Sequence, residues 1–357
     1  MRQENGVFVH IVTYNHEKYI KRCIEGVLNQ SGFEHGENLK VQITDNNSSD
    51  NTLQRLEGLS LDIVKNSENL GFCLAHNTTM KKFLESKFDF YLCLNPDLFL
   101  ESQALKNLVS VISNVAGVGC VCPKLLRADD NLDPLVPRVI DCAGIYMTES
   151  LRHFDRGAGE PDNGQYDKQC EVFGGSGACI LMSKDYINDL EVEQLEYRDV
   201  LTEVFPQYTS ADSERKELFD EAFFAYREDA DLAWRSRLFG WKCMYVPAAL
   251  GYHVRKVTPE KRPNLSAEIN LHGVKNRFLL QLNNYSLSYG LRVFVKGYIV
   301  RNLTVILAVV LKERSSIKGL LDCLKFMRRA LERRRKIQKR SRVSAREVAF
   351  WFNNKES

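Results

Sequence analysis

The sequence predicts an α/β fold, a mostly parallel sheet with helices on its faces. Three observations indicate this fold. Apolar runs of strand length alternate with helical patterns through roughly the first 100 residues, the connections are short, and polar residues follow the apolar runs. The 357 residues are 44% hydrophobic and 27% charged, so they can bury a substantial core without a disulfide or a structural metal.

Strands and helices alternate in order along the first half of the chain. Apolar runs predict strands at residues 7–13, 41–44, 62–65 and 90–94. Apolar residues at helical spacing predict helices at residues 16–30 and 75–84, and the N-cap residues 48–50 predict another through Leu56. Helices that connect successive strands favour a parallel sheet.

The second half is less regular. Residues 127–164 are predicted as loop, and residues 173–183 as a Gly-rich turn that enters a strand. Residues 189–218 form an acidic insertion without a predicted role. A helix at 229–239 and short strands at 243–246 and 249–253 follow. We expect a first domain at residues 1–280 and a helical, basic region at residues 281–357.

The C-terminal region has an uneven charge. The net charge is +3, but residues 312–357 hold 15 Lys/Arg and 5 Asp/Glu, so they carry +10 and the rest carries −7. The apolar stripe there consists of Ile317, Leu320, Leu321, Leu324, Met327 and Leu331. The other faces carry Arg328, Arg329, Arg333, Arg334 and Arg335. This pattern predicts a basic amphipathic helix on an anionic membrane; a solvated helix packed on its own domain is the alternative.

Other classes of protein are disfavoured. The longest apolar stretch, residues 298–311, is shorter than the roughly 20 residues that span a bilayer, and the N-terminus has no signal-peptide layout. None of the ten cysteines forms a CxxC pair, which argues against a zinc ribbon and suits a reducing compartment. The chain lacks GxGxxG and GxxxxGK[ST], and no aromatic-interleaved basic sheet predicts a nucleic-acid partner.

Seven segments carry a resemblance to a known family. In order they are IVTYN (11–15), DNNSSDNT (45–52), NLGF with AHN (69–77), LNPDLFL (94–100), GGSGACIL (174–181), FDEAFFAYREDADLAWR (219–235) and YVPAALGYH (245–253). Together they resemble the family 2 glycosyltransferases with a GT-A fold, and look most like rhamnosyltransferase-like bacterial members. The resemblance implies inverting transfer of a sugar from a nucleotide diphosphate.

The resemblance also implies a catalytic base and a metal site. Asp229 matches the base, with a plain helix cap as the alternative reading, and Glu228 and Asp231 lie on the acceptor side. The usual DxD is replaced by Asn95-Pro96-Asp97, which leaves one carboxylate for Mg²⁺ or Mn²⁺. His253 matches a second ligand, with a buried strand histidine as the alternative.

Donor and acceptor contacts are assigned by the same resemblance. The predicted donor-binding residues are Thr13, Tyr14, Asn15, Asp45, Asn77, Asn95 and Asp97. The predicted acceptor-side loop is Gly175, Ser176 and Gly177, and the predicted diphosphate contacts are His272, Lys275 and Arg277. Turn chemistry, helix capping and a solvated face remain the alternatives at these positions.

The expected activity follows from these assignments. We expect a cytoplasmic enzyme, peripheral on the inner face of the cytoplasmic membrane, that transfers rhamnose from dTDP-rhamnose to a polyprenyl-linked glycan of bacterial surface polysaccharide. UDP-linked galactofuranose, hexose and N-acetylhexosamine are alternative donors. Two rival readings remain. One is a catalytically silent sugar-binding or scaffold module; the other is a nucleotidyltransferase, disfavoured because TYNHEKY follows strand one instead of a Gly-rich loop.

Overall fold

The computed structural model describes residues 5–193, 197–210, 216–255 and 265–352. The strands are β1 (Val7–Thr13), β2 (Leu39–Asp45), β3 (Asp62–Lys65), β4 (Phe90–Leu94), β5 (Leu98–Leu100), β6 (Val118–Arg127), β7 (Ile140–Cys142), β8 (Ile145–Met147), β9 (His153–Asp155), β10 (Cys170–Val172), β11 (Cys179–Ser183), β12 (Val192–Glu193), β13 (Lys216–Glu217) and β14 (Lys242–His253). The α-helices are α1 (Ile20–Leu28), α2 (Gly71–Leu84), α3 (Ala104–Asn114), α4 (Lys184–Leu190), α5 (Arg198–Val204), α6 (Glu228–Leu238), α7 (Ala267–Asn284), α8 (Leu291–Val293), α9 (Arg301–Lys312), α10 (Ile317–Lys325), α11 (Met327–Lys339) and α12 (Ala345–Phe350). Shorter 3-10 turns occupy Gln54–Leu56, Pro206–Ser210, Glu221–Phe223, Leu287–Tyr289 and Arg314–Ser316.

The central sheet has the strand order β10-β14-β6-β11-β4-β1-β2-β3, with β5 added to β14 and β7 to β6. The strands β3, β2, β1 and β4 pair in parallel, as do β14 and β6, whereas β11 runs antiparallel between β4 and β6. Buried apolar clusters cover both faces of the sheet. The prediction of a mostly parallel sheet between helices is therefore confirmed.

Local side-chain bonds correct one predicted helix. The helix expected through Leu56 is reduced to the 3-10 turn Gln54–Leu56. The N-cap candidates bond elsewhere: Ser48 donates to the carboxylate of Asp45, and Asp50 accepts from the backbone N–H of Glu17. Because these side chains bind neighbouring loops, they do not start a helix.

Three other boundaries also differ from the predictions. Residues 127–164, predicted as loop, contain β7 and the β8–β9 hairpin, whose short strands leave little periodicity to detect. The two strands predicted at 243–246 and 249–253 are a single strand, β14, with an irregularity between Val246 and Leu250. The predicted domain boundary at residue 280 falls inside α7.

A long apolar helix lies C-terminal to α7. It runs from Leu291 to Lys312, so it is 22 residues long and contains the stretch that was predicted to be too short for a bilayer. By length and composition it is the one helix among the described residues that could cross a membrane. Val293, Gly297 and Val309 face the protein, while the opposite side is exposed. We call Leu291–Lys312 the apolar helix.

The arginines of α11 correct the predicted amphipathic tail. Arg329 and Arg333 were expected on polar faces of a membrane-lying helix, but both are fully buried. Arg329 Nη2 lies 2.6 Å from Glu217 Oε2, and Arg333 Nη1 lies 3.2 Å from the same oxygen. Asp220 also pairs with Arg329 and accepts a 2.7 Å hydrogen bond from Asn283 Nδ2. The helix is thus joined to the sheet domain by buried ion pairs.

The described part of the acidic insertion packs against the same helices. Residues 194–196 and 211–215 of this insertion lie outside the described residues. Lys336 Nζ donates to the carbonyl of Glu193 at 2.8 Å, and Arg340 Nη1 donates to the carbonyl of Glu191 at 2.7 Å. The insertion and the C-terminal helices therefore stabilise each other.

We predict that Arg329→Met lowers the free energy of unfolding by about 3–5 kcal/mol, because it leaves the two buried carboxylates, Glu217 and Asp220, with Arg333 as their one remaining counter-ion. Urea unfolding measures the change. Arg328→Met is the matched control, since Arg328 is exposed on the same helix and its replacement is expected to change stability by less than about 0.5 kcal/mol. Equal losses from the two variants would contradict a structural role for the buried pair.

Candidate active site

The carboxyl ends of neighbouring strands form one edge of the sheet, where ligands bind in open α/β folds. Thr13 ends β1 and pairs in register with Asp45, the last residue of β2. Asn95 follows β4 directly. The structure thus places three of the predicted donor-binding residues along one edge, as their positions after predicted strands implied.

The segment after β1 is held by the segment after β2. Asn15 has a positive φ of 60°, its N–H donates to Ser48 Oγ at 2.9 Å, and its side-chain oxygen accepts from the Ser49 N–H at 2.8 Å. Asp45 is buried and accepts both the N–H and the hydroxyl of Ser48. Tyr14, in contrast, is 45% exposed and lies open to a ligand.

Asn77 does not have the surroundings expected of a donor contact. Its side chain is buried, donates to the carbonyl of Phe219 at 2.8 Å and to Glu221 Oε1 at 3.1 Å, and accepts from the Phe219 N–H at 3.0 Å. These bonds use both ends of the amide. The structure therefore gives Asn77 the role of fixing the segment before α6.

Asp97 and His253 lie together, as the predicted metal ligands should. His253 Nε2 is 3.4 Å from Asp97 Oδ1, and the other ring nitrogen, Nδ1, is 2.8 Å from Asp141 Oδ2. The strands position the pair, because His253 ends β14 opposite Leu98 in β5. Asp141 orients the imidazole ring through its bond to Nδ1. No sequence pattern predicts this role for Asp141.

The chemistry of this pair fits a divalent cation. Burial lowers the pKa of His253, but the charges of Asp141 and Asp97 outweigh it and raise the pKa to about 10. The same two carboxylates would attract a divalent cation, which must displace this proton to bind the imidazole. The Asp141 bond leaves Nε2 directed to Asp97, so an imidazole nitrogen and a carboxylate oxygen are the available ligands. Among the described residues no group of three or more ligand side chains occurs, so diphosphate oxygens and water would complete the coordination.

The predicted base stands at the start of α6. Asp229 Oδ2 accepts the N–H of Gly177 at 3.1 Å, and Oδ1 accepts the N–H of Ala230 at 2.7 Å. Burial raises the pKa of Asp229, and the Gly177 N–H opposes that rise. Burial and the charge of Asp229 also raise the pKa of Glu228, whose Oε2 has no hydrogen-bond partner. Two adjacent carboxyl groups thus share a site in which the protonation of Glu228 lets Asp229 ionise.

One loop brings the base and the metal site together. The N–H of Gly177 binds Asp229, and the next carbonyl, that of Ala178, accepts the N–H of Asn95 at 2.9 Å. Asn95 is two residues before Asp97. The Gly-rich loop therefore links α6 to the end of β4, and this contact places the predicted base beside the predicted cation ligands.

Close packing, more than access to a sugar, explains the glycines of this loop. A Cβ on Gly174 would lie 2.2 Å from Ala233 Cβ, and one on Gly175 would lie 2.9 Å from Cys122 Cβ. Gly177 has room for a Cβ at ordinary contact distances, and Ser176 is buried. Of these three glycines, Gly177 is the one whose backbone N–H binds Asp229.

A strained segment precedes the base. Phe224, Tyr226 and Arg227 all have positive φ values, 66°, 72° and 72°, which non-glycine residues rarely adopt. The buried Asn276 holds the segment, because its Nδ2 lies 2.7 Å from the carbonyls of both Ala225 and Tyr226. Sequence reasoning missed Asn276, although it lies between two of the diphosphate candidates, Lys275 and Arg277.

The remaining candidates lie mostly in the interior. Asp231 is buried and accepts hydrogen bonds from Asn283 and Asn284, so it supports the packing of α6 on α7. His272 stacks on Phe224 with ring centroids 5.1 Å apart. Lys275 Nζ donates to the carbonyl of Ala222 at 2.6 Å, and burial lowers the pKa of Lys275 to about 7.

The diphosphate assignment is consequently corrected for Lys275, whose amine has a partner inside the protein. His272 Nδ1 is buried without a hydrogen-bond partner, so its diphosphate contact stays a prediction. Arg277 is also buried, at 4% exposure, but its Nε has no hydrogen-bond partner.

The fold and this constellation define a class: an α/β fold with the predicted base and the predicted metal-ligand pair near the carboxyl edge of its sheet. The chain matches the model of the family described as glycosyl transferase family 2 over residues 8–190, more than half of its length. It belongs to that family. This match confirms the family that the seven sequence segments predicted. A search of curated proteins finds no significant match.

Solved structures agree on the fold. The chain is similar to GalNAc-T7, crystallised with UDP, GalNAc and Mn²⁺, at 11% identity and a TM-score of 0.55, covering 90% of this chain and 55% of that chain. It is also similar to residues 1–349 of TarS from S. aureus in complex with UDP-GlcNAc, at 17% identity and a TM-score of 0.50, covering 94% and 90%. The chain thus spans 55% of the length of GalNAc-T7, and its fold is GT-A.

Proposed function

We propose that the protein is an inverting, metal-dependent glycosyltransferase that uses a nucleotide diphosphate sugar as donor. The observation that carries this proposal is the Gly177–Ala178 bridge, because it brings Asp229 next to the strand end that bears Asp97. A proton acceptor and a cation site for a diphosphate are the two groups that direct displacement at an anomeric carbon requires. A catalytically silent module has no need to keep both.

In the proposed reaction Asp229 takes the proton of the acceptor hydroxyl. The oxygen attacks the anomeric carbon from the face opposite the diphosphate, which inverts the configuration. A divalent cation held by Asp97 and His253 would offset the negative charge of the departing diphosphate. Asp141 keeps the imidazole in place, and Asn276 keeps the segment before the base in its strained conformation.

We propose dTDP-rhamnose as donor, with a UDP-linked sugar as the alternative. Rhamnose rests on the likeness to rhamnosyltransferases in the sequence, whereas UDP and UDP-GlcNAc are the ligands in the structures of GalNAc-T7 and TarS. Calorimetric titration with dTDP, UDP and GDP, each with Mn²⁺ and with chelator, tests the proposal. Metal-dependent binding of one nucleoside diphosphate supports the proposal and identifies the nucleobase of the donor. If none of the three binds, the proposal is contradicted.

We further propose that the acceptor is a lipid-linked glycan of bacterial surface polysaccharide and that the protein lies on the inner face of the cytoplasmic membrane. The apolar helix supports this proposal: Leu303, Leu307 and Leu311 follow each other at helical spacing and are 55%, 59% and 70% exposed. Exposed cations, Lys312 and Arg314, follow at its end. An apolar face beside cations is complementary to an anionic bilayer surface.

We predict that the double variant Leu303→Gln, Leu307→Gln binds phosphatidylglycerol vesicles at least about tenfold more weakly, because two leucines no longer enter the bilayer. Vesicle sedimentation measures binding. Val136→Gln, which changes another exposed apolar residue, is the control. Truncation after Lys312 is a poor test, since it removes the buried Arg329. Unchanged sedimentation of the double variant would argue against this surface.

A further inference from the structure

Four arginines from separate parts of the chain gather beside the base. Arg152 precedes β9, Arg227 precedes α6, Arg277 lies on α7 and Arg301 begins α9. We call these residues the arginine cluster. Arg277 is a predicted diphosphate contact and Arg227 lies in the segment 219–235 that carries the predicted base, whereas Arg152 and Arg301 belong to no motif and are brought here by the fold.

Direct contacts join the segments that carry the cluster. Arg227 Nη1 donates to His153 Nδ1 at 3.4 Å, next to Arg152. Arg277 Nη2 lies 3.4 Å from the carbonyl of Ser150 and 3.3 Å from Asn302 Oδ1, next to Arg301. The hairpin, α7 and the apolar helix therefore meet around the guanidinium of Arg277.

The cluster has too few acceptors for its donors. The Nε atoms of Arg277 and Arg301 are buried and have no hydrogen-bond partner. Within the described parts of the chain, neither these two arginines nor Arg152 forms an ion pair with a carboxylate. A buried guanidinium nitrogen without an acceptor is destabilising, so two such nitrogens in a native structure call for an explanation.

The carboxylates nearest to the cluster form ion pairs with other basic residues. Glu149 pairs with Arg292 at 3.0 Å and with Lys296 at 2.9 Å. Asp155 pairs with Arg255. Burial and then the charges of the other three arginines lower the pKa of Arg277 to about 9, which is the effect of an excess of positive charge. No carboxylate among the described residues supplies the missing counter-ion, and this excess of positive charge suits an anionic ligand.

The position of the cluster indicates which anion. Arg227 is two residues before Asp229, while Arg301 lies on the apolar helix, whose opposite face carries the exposed Leu303. An anion bound here would lie between the start of α6 and the apolar helix, with the exposed leucines on the far side of that helix. A phosphate ester that carries an apolar chain fits both neighbours, and planar guanidinium groups match phosphate oxygens well.

We propose that the arginine cluster binds the diphosphate of a lipid-linked acceptor, with the lipid chain against the apolar helix and the sugar directed to Asp229. This inference rests on the proposed function and names the acceptor group that the enzyme recognises. It separates the acceptor diphosphate from the donor diphosphate, which the Asp97–His253 pair would hold through its cation.

The test is calorimetric titration of the full chain with farnesyl diphosphate and with farnesol, which has the same apolar chain and no phosphate. Chelator is present, so that no metal can hold the diphosphate at Asp97. We expect the diphosphate to bind at least about tenfold more tightly than the alcohol. Arg277→Gln and the less buried Arg301→Gln should each remove most of that difference, and Arg335→Gln, which changes an exposed arginine on α11, should leave it intact.

Controls separate the possible sources of phosphate. Nucleotide binding with Mn²⁺ should persist in Arg277→Gln and Arg301→Gln, which also shows that both variants fold. Equal binding of farnesol and its diphosphate would overturn the inference. So would a parallel loss of nucleotide binding, which would assign the cluster to the donor, or a parallel loss of phosphatidylglycerol vesicle binding, which would assign it to bulk lipid. If wild-type protein binds farnesyl diphosphate but no nucleotide, the proposed function fails and the anion site stands.

Discussion

Asp229→Asn is expected to lower kcat by roughly 10²–10⁴-fold, because general-base catalysis typically contributes that much. The amide has the size of the carboxylate and can still accept the Gly177 N–H, so the loop and the start of α6 should keep their conformation. Binding of the nucleotide should persist, since the predicted donor contacts lie on the other side of that loop. Loss of nucleotide binding together with kcat would mean that Asp229 holds the donor, and would contradict its role as base.

The same assignment predicts the pH dependence. The base acts in its ionised form, and burial raises the pKa of Asp229. Activity should therefore fall as the pH decreases through this raised pKa, at a higher pH than for an exposed aspartate. Asp62→Asn is the matched control, because Asp62 is a half-exposed aspartate at the opposite end of the sheet, and its replacement should change neither kcat nor the profile.

The sequence predicts the features that depend on neighbours along the chain. Strand β1 and the polar residues that follow β1, β2 and β4 were placed correctly, because an apolar run and its terminal turn are local signals. The base and the metal ligands were proposed from motifs, and the structure brings Asp97 and His253 within 3.4 Å. These two residues lie together because β14 pairs with β5, and no local sequence pattern predicts that pairing.

The failures of prediction share a physical cause. Arg329 has the sequence surroundings of a membrane-facing arginine, and only a carboxylate 112 positions away shows that it is buried. Asn77 and Lys275 look like ligand contacts until their partners, Phe219 and Ala222, are known. Asn276 was missed for the opposite reason, since its three acceptors are backbone carbonyls, which carry no sequence signal.

Asp97→Ala is expected to abolish the metal-dependent part of nucleotide binding. Asp97 supplies the carboxylate of a two-ligand site, and His253 alone would hold Mg²⁺ or Mn²⁺ poorly because both ions favour oxygen ligands. Calorimetric titration with and without Mn²⁺ measures the effect, and the two titrations of the variant should coincide. Asp141→Asn is the graded comparison: it keeps both ligands but weakens the support of the imidazole, and should lower metal affinity by about 10–100-fold. If Asp97→Ala keeps a metal-dependent affinity like that of the wild type, the cation is held elsewhere and the departure from DxD at Asn95 marks a different site.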